Sequence, residues 1–152
     1  MDGAKPPPRA AQRRKTLHDV REQVEGAMGE FLDALRGLGY DEGSVFAIRL
    51  ALEEAINNGF RHGNKSDPGK VVRLAWSATS DRVQIEVEDE GEGFDPQAVP
   101  DPTAEENLEI PSGRGLMLMR AYMNEVEYLE PGNRVRLVYV KQEDAGDRTD
   151  GA

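Results

Sequence analysis

The sequence predicts an α+β protein: a two-layer α/β sandwich in which an antiparallel-rich mixed sheet is covered on one face by helices. Three observations predict it. Two stretches in the first sixty residues repeat apolar side chains at helical spacing. Residues 82–88 alternate strictly, with Val83, Ile85 and Val87 apolar and Gln84, Glu86 and Glu88 polar, as a half-buried antiparallel strand does. Residues 125–141 read as two short strands about a Pro131-Gly132-Asn133 turn, a closing hairpin.

Composition narrows the class further. A length of 152 residues fits one domain, expected over residues 16–142 between a disordered basic tail (1–15) and a disordered acidic tail (143–152). No cysteine is present, which excludes disulfides and thiolate metal sites, and two histidines are too few for an ordinary zinc site. The net charge is −10, although residues 1–15 hold five basic side chains against one acidic. An acidic body argues against direct nucleic-acid binding, which needs cations to meet phosphates. The chain has no long apolar run to span a membrane and no apolar core of a signal peptide, which fits a cytoplasmic protein.

In order, the prolines at 6–8 and scattered charges make the first fifteen residues a tail. A first helix is expected from Thr16–Asp19 to Leu38, with the apolar stripe Val20, Val24, Met28, Phe31, Leu35 and Leu38, ended by Gly37 and Gly39. Asp41 to Ser44 opens a second helix. Its core side is Val45, Ile48, Leu52, Ala55, Ile56 and Gly59. Its other side begins apolar with Ala47, Leu50 and Ala51, then turns polar with Glu54, Asn57, Asn58, Arg61 and His62. That switch has two readings. One is a satisfied helix C-terminus, with Arg61 and His62 at the negative dipole end and Gly63 as cap. The other is a buried helix running into the mouth of a pocket. After a polar turn at 64–69 come strands at 71–77 and 82–88, then a proline-rich, acidic stretch (94–112) without periodicity. A short helix (115–124), whose methionines read as packing, precedes the hairpin.

Two glycine clusters flank the long loop. Asp89-Glu90-Gly91-Glu92-Gly93-Phe94 follows the alternating strand directly. Its glycines let a ligand approach the backbone, and Asp89 can accept from an amino group; a plain tight turn is the alternative. A calcium loop is excluded, because its third and fifth positions are both glycine. Ser112-Gly113-Arg114-Gly115-Leu116 opens a helix, where backbone amides suit phosphate. It is neither a P-loop nor the full dinucleotide fingerprint, and alone it is weak.

Taken together and in this order, the polar helix end and the two glycine turns resemble the N, G1 and G2 boxes of GHKL-type ATPases, from about residue 17 to residue 141. Glu54-Ala55-Ile56-Asn57-Asn58-Gly59-Phe60-Arg61-His62-Gly63 and Ser112-Gly113-Arg114-Gly115-Leu116 look most like those of bacterial anti-sigma factor serine kinases. The resemblance implies ATP and Mg²⁺ as cofactors. It makes Asn58 the amide that holds Mg²⁺ against the triphosphate, Glu54 the general base and Asp89 the reader of the adenine amine. Gly91 and Gly93 become the turn under the nucleotide, and Gly113, Arg114 and Gly115 the phosphate turn, with 95–112 as lid. His62 and Gly63 are left to cap the helix and shape its turn.

The function implied is an anti-sigma regulatory factor that phosphorylates a serine of an anti-anti-sigma antagonist and sequesters a sigma factor. A non-catalytic ATP-binding module that sequesters a regulatory partner is the alternative. The ATPase domain of a sensor histidine kinase is disfavoured, since neither His18 nor His62 lies in a dimerisation helix pair. Relatives carry a strand before the first helix that often makes dimer contacts. Residues 1–17 offer only Leu17 as a sizeable apolar residue, so that strand is not expected here and a homodimer stays an open question. Gly59 stands where alanine is common, and Arg134 where some relatives place a threonine near the adenine.

Overall fold

Alternation decides the sheet. Val72, Leu74, Trp76 and Ala78 share one face of a strand, as do Val83, Ile85 and Val87 of the next, and all seven are buried. A computed structural model describes residues 10–91, 119–129 and 133–141. Its strands are β1 (Ala10–Leu17), β2 (Val72–Thr79), β3 (Arg82–Glu88), β4 (Glu125–Leu129) and β5 (Arg134–Val140), and its helices α1 (Arg21–Gly37) and α2 (Glu42–Asn58). The strand order is β1-β2-β3-β5-β4, and all four pairings are antiparallel, with no parallel pair among the described strands.

Both helices bury most of their predicted apolar stripes against the inner sheet face, although Val20 is exposed and Val24 only partly buried. From α1 come Met28, Phe31, Leu32 and Leu35, and Phe31 meets the Trp76 ring at 4.9 Å and 56°. From α2 come Val45, Ile48, Ala51, Leu52, Ala55 and Ile56. Helix α1 starts later than expected, and Val20 precedes it, half-exposed. At its other end Gly39 is left-handed (φ 97°), which lets the Tyr40 amide donate back to the Leu35 carbonyl. Asp41 caps α2, accepting from the Ser44 amide at 2.7 Å. Behind that cap the Tyr40 hydroxyl donates to the Thr79 carbonyl at 2.8 Å, and Ser44 meets Tyr139 at 2.6 Å, tying the inter-helix loop to the sheet.

The expected tail is corrected. Residues 10–15 belong to β1, and the ordered domain begins at least at Ala10, while residues 1–9 lie outside the described set. Eight residues of β1 pair in register with β2, from Ala10 opposite Thr79 to Leu17 opposite Val72. Backbone hydrogen bonds carry this edge strand, and its side chains show no alternation because most are exposed. Two devices hold its inner face. Leu17, only 1% exposed, plugs the core, while Arg13 and Lys15 reach Glu30 of α1 at 3.9 and 3.5 Å. Those surface ion pairs contribute little; Leu17 is the anchor.

The loop expected at 94–112 lies outside the described residues. Of the helix expected at 115–124, residues 119–122 are described and helical, and Met119 and Met123 are buried. No described helix is long and apolar enough to cross a membrane.

If Leu17 anchors β1, Leu17→Ala should cost about 2–5 kcal/mol of unfolding free energy by urea titration. Arg14→Ala, on the exposed side of the same strand, should change it by less than about 0.5 kcal/mol.

Candidate functional site

Helix α2 does not end at its polar stripe. The backbone widens into a π-helical turn, Gly59–Gly63, in which the Asn64 amide donates to the Gly59 carbonyl at 2.8 Å. Turns of this kind add a residue to the helix and recur at functional sites. Just before this turn the two asparagines part, because consecutive helical residues point to different sides: Asn57 is exposed and Asn58 is 93% buried, that is, 7% exposed. Glu54, one turn before Asn58, is half-buried on the same face. The stripe read as one polar surface therefore divides: Asn57 and Arg61 are exposed, Glu54 and His62 are half-buried, and Asn58 is buried.

Asn64 holds this helix end in place. It is 1% exposed, its Nδ2 donates to the Val71 carbonyl at 3.0 Å, and its Oδ1 accepts from the Glu90 amide at 2.7 Å. One side chain thus joins the helix end, the start of β2 and the turn after β3. From the sequence it reads as an ordinary turn residue. The clue was its place between a helix end and a strand start, where an asparagine side chain can mimic backbone on both sides.

Gly63 is not the left-handed cap the sequence suggests. Left-handed backbone falls instead on Lys65 (φ 53°) and Ser66 (φ 59°). Gly63 is glycine for room: a β-carbon there would overlap the Asp89 carboxyl group. A β-carbon on Gly91 would likewise overlap the Gly63 carbonyl. At Gly59 it would lie 3.1 Å from a Val72 methyl, so the alanine common at that position in relatives is tight here.

Asp89 therefore sits in a slot between two glycines. Its Oδ1 accepts from the Gly91 amide at 2.8 Å; its own amide donates to the Asn133 carbonyl at 2.9 Å, and its carbonyl accepts from Asn133 Nδ2 at 3.2 Å. Glu90 turns away, taking the Val71 amide at 2.8 Å and Arg73 at 3.4 Å. Burial pushes the Asp89 carboxyl up to about 6; the Gly91 amide partly offsets this, while Glu88 raises it and Lys70 lowers it.

One further residue not singled out in the sequence completes the described part. The Tyr128 hydroxyl, from β4, is shut off from solvent beside Asn58. Burial raises its pKa strongly; Asn58 counteracts, and Glu54, Asp89 and Arg120 all lie near enough to bear on it. Tyr128 hid because an aromatic residue in a hairpin strand reads as packing; pairing Val126 with Leu137 on the inner face is what aims it at the helix end. Arg134, by contrast, lies on the uncovered side of the sheet, 3.6 Å from Glu86, so it does not substitute for a threonine in the pocket. Gly93, Gly113, Arg114 and Gly115 lie outside the described residues. Glu54, Asn58, Asp89 and Gly91 are brought together at one end of the inner sheet face, where a carboxylate, a buried amide and a recessed carboxyl can bind a polar, amine-bearing ligand.

Comparison with known proteins follows the same stretch. A family model described as a histidine kinase-like ATPase domain matches residues 17–139. The serine-protein kinase RsbW of Staphylococcus epidermidis is 31% identical over 117 residues, covering 70% of this chain and 72% of that protein. The anti-sigma F factor of Clostridium perfringens strain SM101 is 32% identical over 98 residues, covering 62% and 69%. The serine-protein kinase RsbW of Bacillus subtilis strain 168 is 30% identical over 97 residues, covering 59% of each.

The glycine slot and the Asp89 shift each give a prediction. Gly63→Ala should displace the Asp89 carboxyl and cost about 1–3 kcal/mol by urea unfolding. Because folding raises the Asp89 pKa from 3.8 to about 6, the folded chain binds the extra proton between those values. Its contribution is full below pH 3.8 and is lost as the pH rises to about 6. Asp89→Asn should remove that loss, so the mutant's stability relative to the unmodified chain should rise between pH 4 and 6 and level off above, read from urea midpoints.

Proposed function

The chain belongs to the histidine kinase-like ATPase domain family, and from that premise we propose that it is an anti-sigma regulatory factor acting in the cytoplasm. In this reading it uses ATP to phosphorylate a serine of an anti-anti-sigma antagonist, and it binds a sigma factor when the antagonist is phosphorylated. The observation that carries the reading is the Glu54–Asn58 pair turned inward beside the glycine-walled Asp89. Relatives named as serine-protein kinases and an anti-sigma factor support it.

Each residue has a task the geometry suits. Asp89, recessed between Gly63 and Gly91, accepts from the exocyclic amine of adenine, a donor that needs an oxygen with close backbone on either side. Asn64 and Asn133 fix the backbone of that turn, and the Gly91 amide holds the carboxyl. Glu54 takes the proton from the incoming serine hydroxyl as its oxygen bonds to the γ-phosphorus and the bond to ADP breaks.

The residues also fit Mg²⁺. Among the described residues no cluster of three or more His, Cys, Asp or Glu could hold a metal by itself. Mg²⁺ at a nucleotide does not ask for one: it keeps waters and takes one or two protein groups together with phosphate oxygens. Asn58, buried with its Nδ2 unmatched, offers such a group through Oδ1. Bound there, Mg²⁺ would neutralise charge on the triphosphate.

Glu54→Gln should lower transfer of labelled phosphate to a purified antagonist by about 10²-fold or more. Nucleotide affinity, measured by calorimetry, should stay within about threefold, because the glutamate acts on the hydroxyl and not on the nucleotide. Tight ATP binding by the unmodified chain with no transfer to any cognate antagonist would sink the kinase half and leave a binding module that sequesters its partner.

A further inference from the structure

Asn58 presents a problem that its own helix does not solve. A carboxamide has two ends of nearly equal size, and only the oxygen can ligate a cation. Rotation about its last side-chain torsion exchanges the ends freely unless a neighbour tells them apart. Asn58 is 93% buried, its Nδ2 is shut off from solvent, and no group among the described residues meets that nitrogen with full hydrogen-bond geometry. Something beside it must favour nitrogen over oxygen.

We infer that the Tyr128 hydroxyl is a positioning group for Asn58: it takes the Nδ2 end of the carboxamide and thereby turns Oδ1 toward the nucleotide. The phenolic oxygen is likewise shut off from solvent and lies beside the Asn58 side chain. It sits on β4, held in register by Tyr128 opposite Val135 and Val126 opposite Leu137, so strand pairing fixes the ring. Glu54, Asp89 and Arg120 all lie near enough to act electrostatically on the same hydroxyl, which places it near the candidate site residues and not at a remote packing contact. Hydrogen bonds of this kind are often poorly aligned before a ligand arrives and tighten on binding. The inference rests on the nucleotide-site reading given above.

The test is Tyr128→Phe in the full chain, which keeps the ring and removes one oxygen. In protein without nucleotide, the Asn58 side-chain amide resonance, identified by its loss in Asn58→Asp, is expected to shift. With nucleotide, affinity in the absence of Mg²⁺ is expected to stay within about twofold, while the Mg²⁺ concentration for half-maximal tightening rises about three- to tenfold, the range one hydrogen bond supports. In an Asn58→Ala background, Tyr128→Phe should no longer change the Mg²⁺ requirement. An unmoved amide signal, an unchanged Mg²⁺ requirement, or an equal effect in that background would overturn the inference. Absence of Mg²⁺-linked binding in the unmodified chain would instead overturn the nucleotide reading, and the amide signal would still decide the Tyr128–Asn58 pairing.

Discussion

The seam between the end of α2 and the turn after β3 is the constraint on which the rest of the site depends. Asp89 packs against the backbone of Gly63, and Gly91 packs against the Gly63 carbonyl, with no β-carbon on either glycine. Close-packed interiors leave no slack for an added methyl at such a contact. Asn64, at the helix end, then closes the seam by accepting from the Glu90 amide at 2.7 Å, and its other side-chain end donates to the Val71 carbonyl before β2 at 3.0 Å. Helix and sheet are thereby set at one separation, and every distance between Glu54, Asn58 and Asp89 follows from it.

Burying polar groups at the seam is costly, and the chain spends its hydrogen bonds unevenly. Asn64 is bonded at both ends of its side chain, and the Asp89 backbone at both its amide and its carbonyl. Among the described residues the Asp89 carboxyl is matched by the Gly91 amide alone, and it stays harder to ionise than a surface aspartate. Asn58 Nδ2, among the described residues, meets no group with full hydrogen-bond geometry and has the Tyr128 hydroxyl beside it. This unevenness has a direction: the structural polar groups are bonded, and the Asp89 carboxyl facing the proposed nucleotide keeps acceptor capacity in reserve.

Most of the fold was legible because periodicity reports burial. The α1 stripe, the Asp41 cap, the clean alternation of β3 and the closing hairpin each follow from local pattern. β1 was not legible. An edge strand held by backbone pairing, polar on both faces with only Leu17 deeply buried, leaves no alternation to read, and its charges mimic a tail. In the site, Glu54, Asn58 and Asp89 were visible as chemistry-bearing residues at motif spacing. Asn64 and Tyr128 were not, because their roles depend on partners 26 residues away and on another strand altogether. Gly63 was seen but misread: a glycine wanted for close approach and one wanted for a left-handed cap look alike in sequence.

The contrast between β1 and the seam also bears on how freely this sequence can drift. Six of the eight β1 side chains are exposed, and the ladder with β2 asks nothing of their identity beyond compatibility with an extended backbone. Lineages carrying this chain can rewrite that edge, and with it the charge presented to neighbours, at little thermodynamic cost. Positions 63 and 91 have no such freedom, since every other amino acid begins with the atom that does not fit.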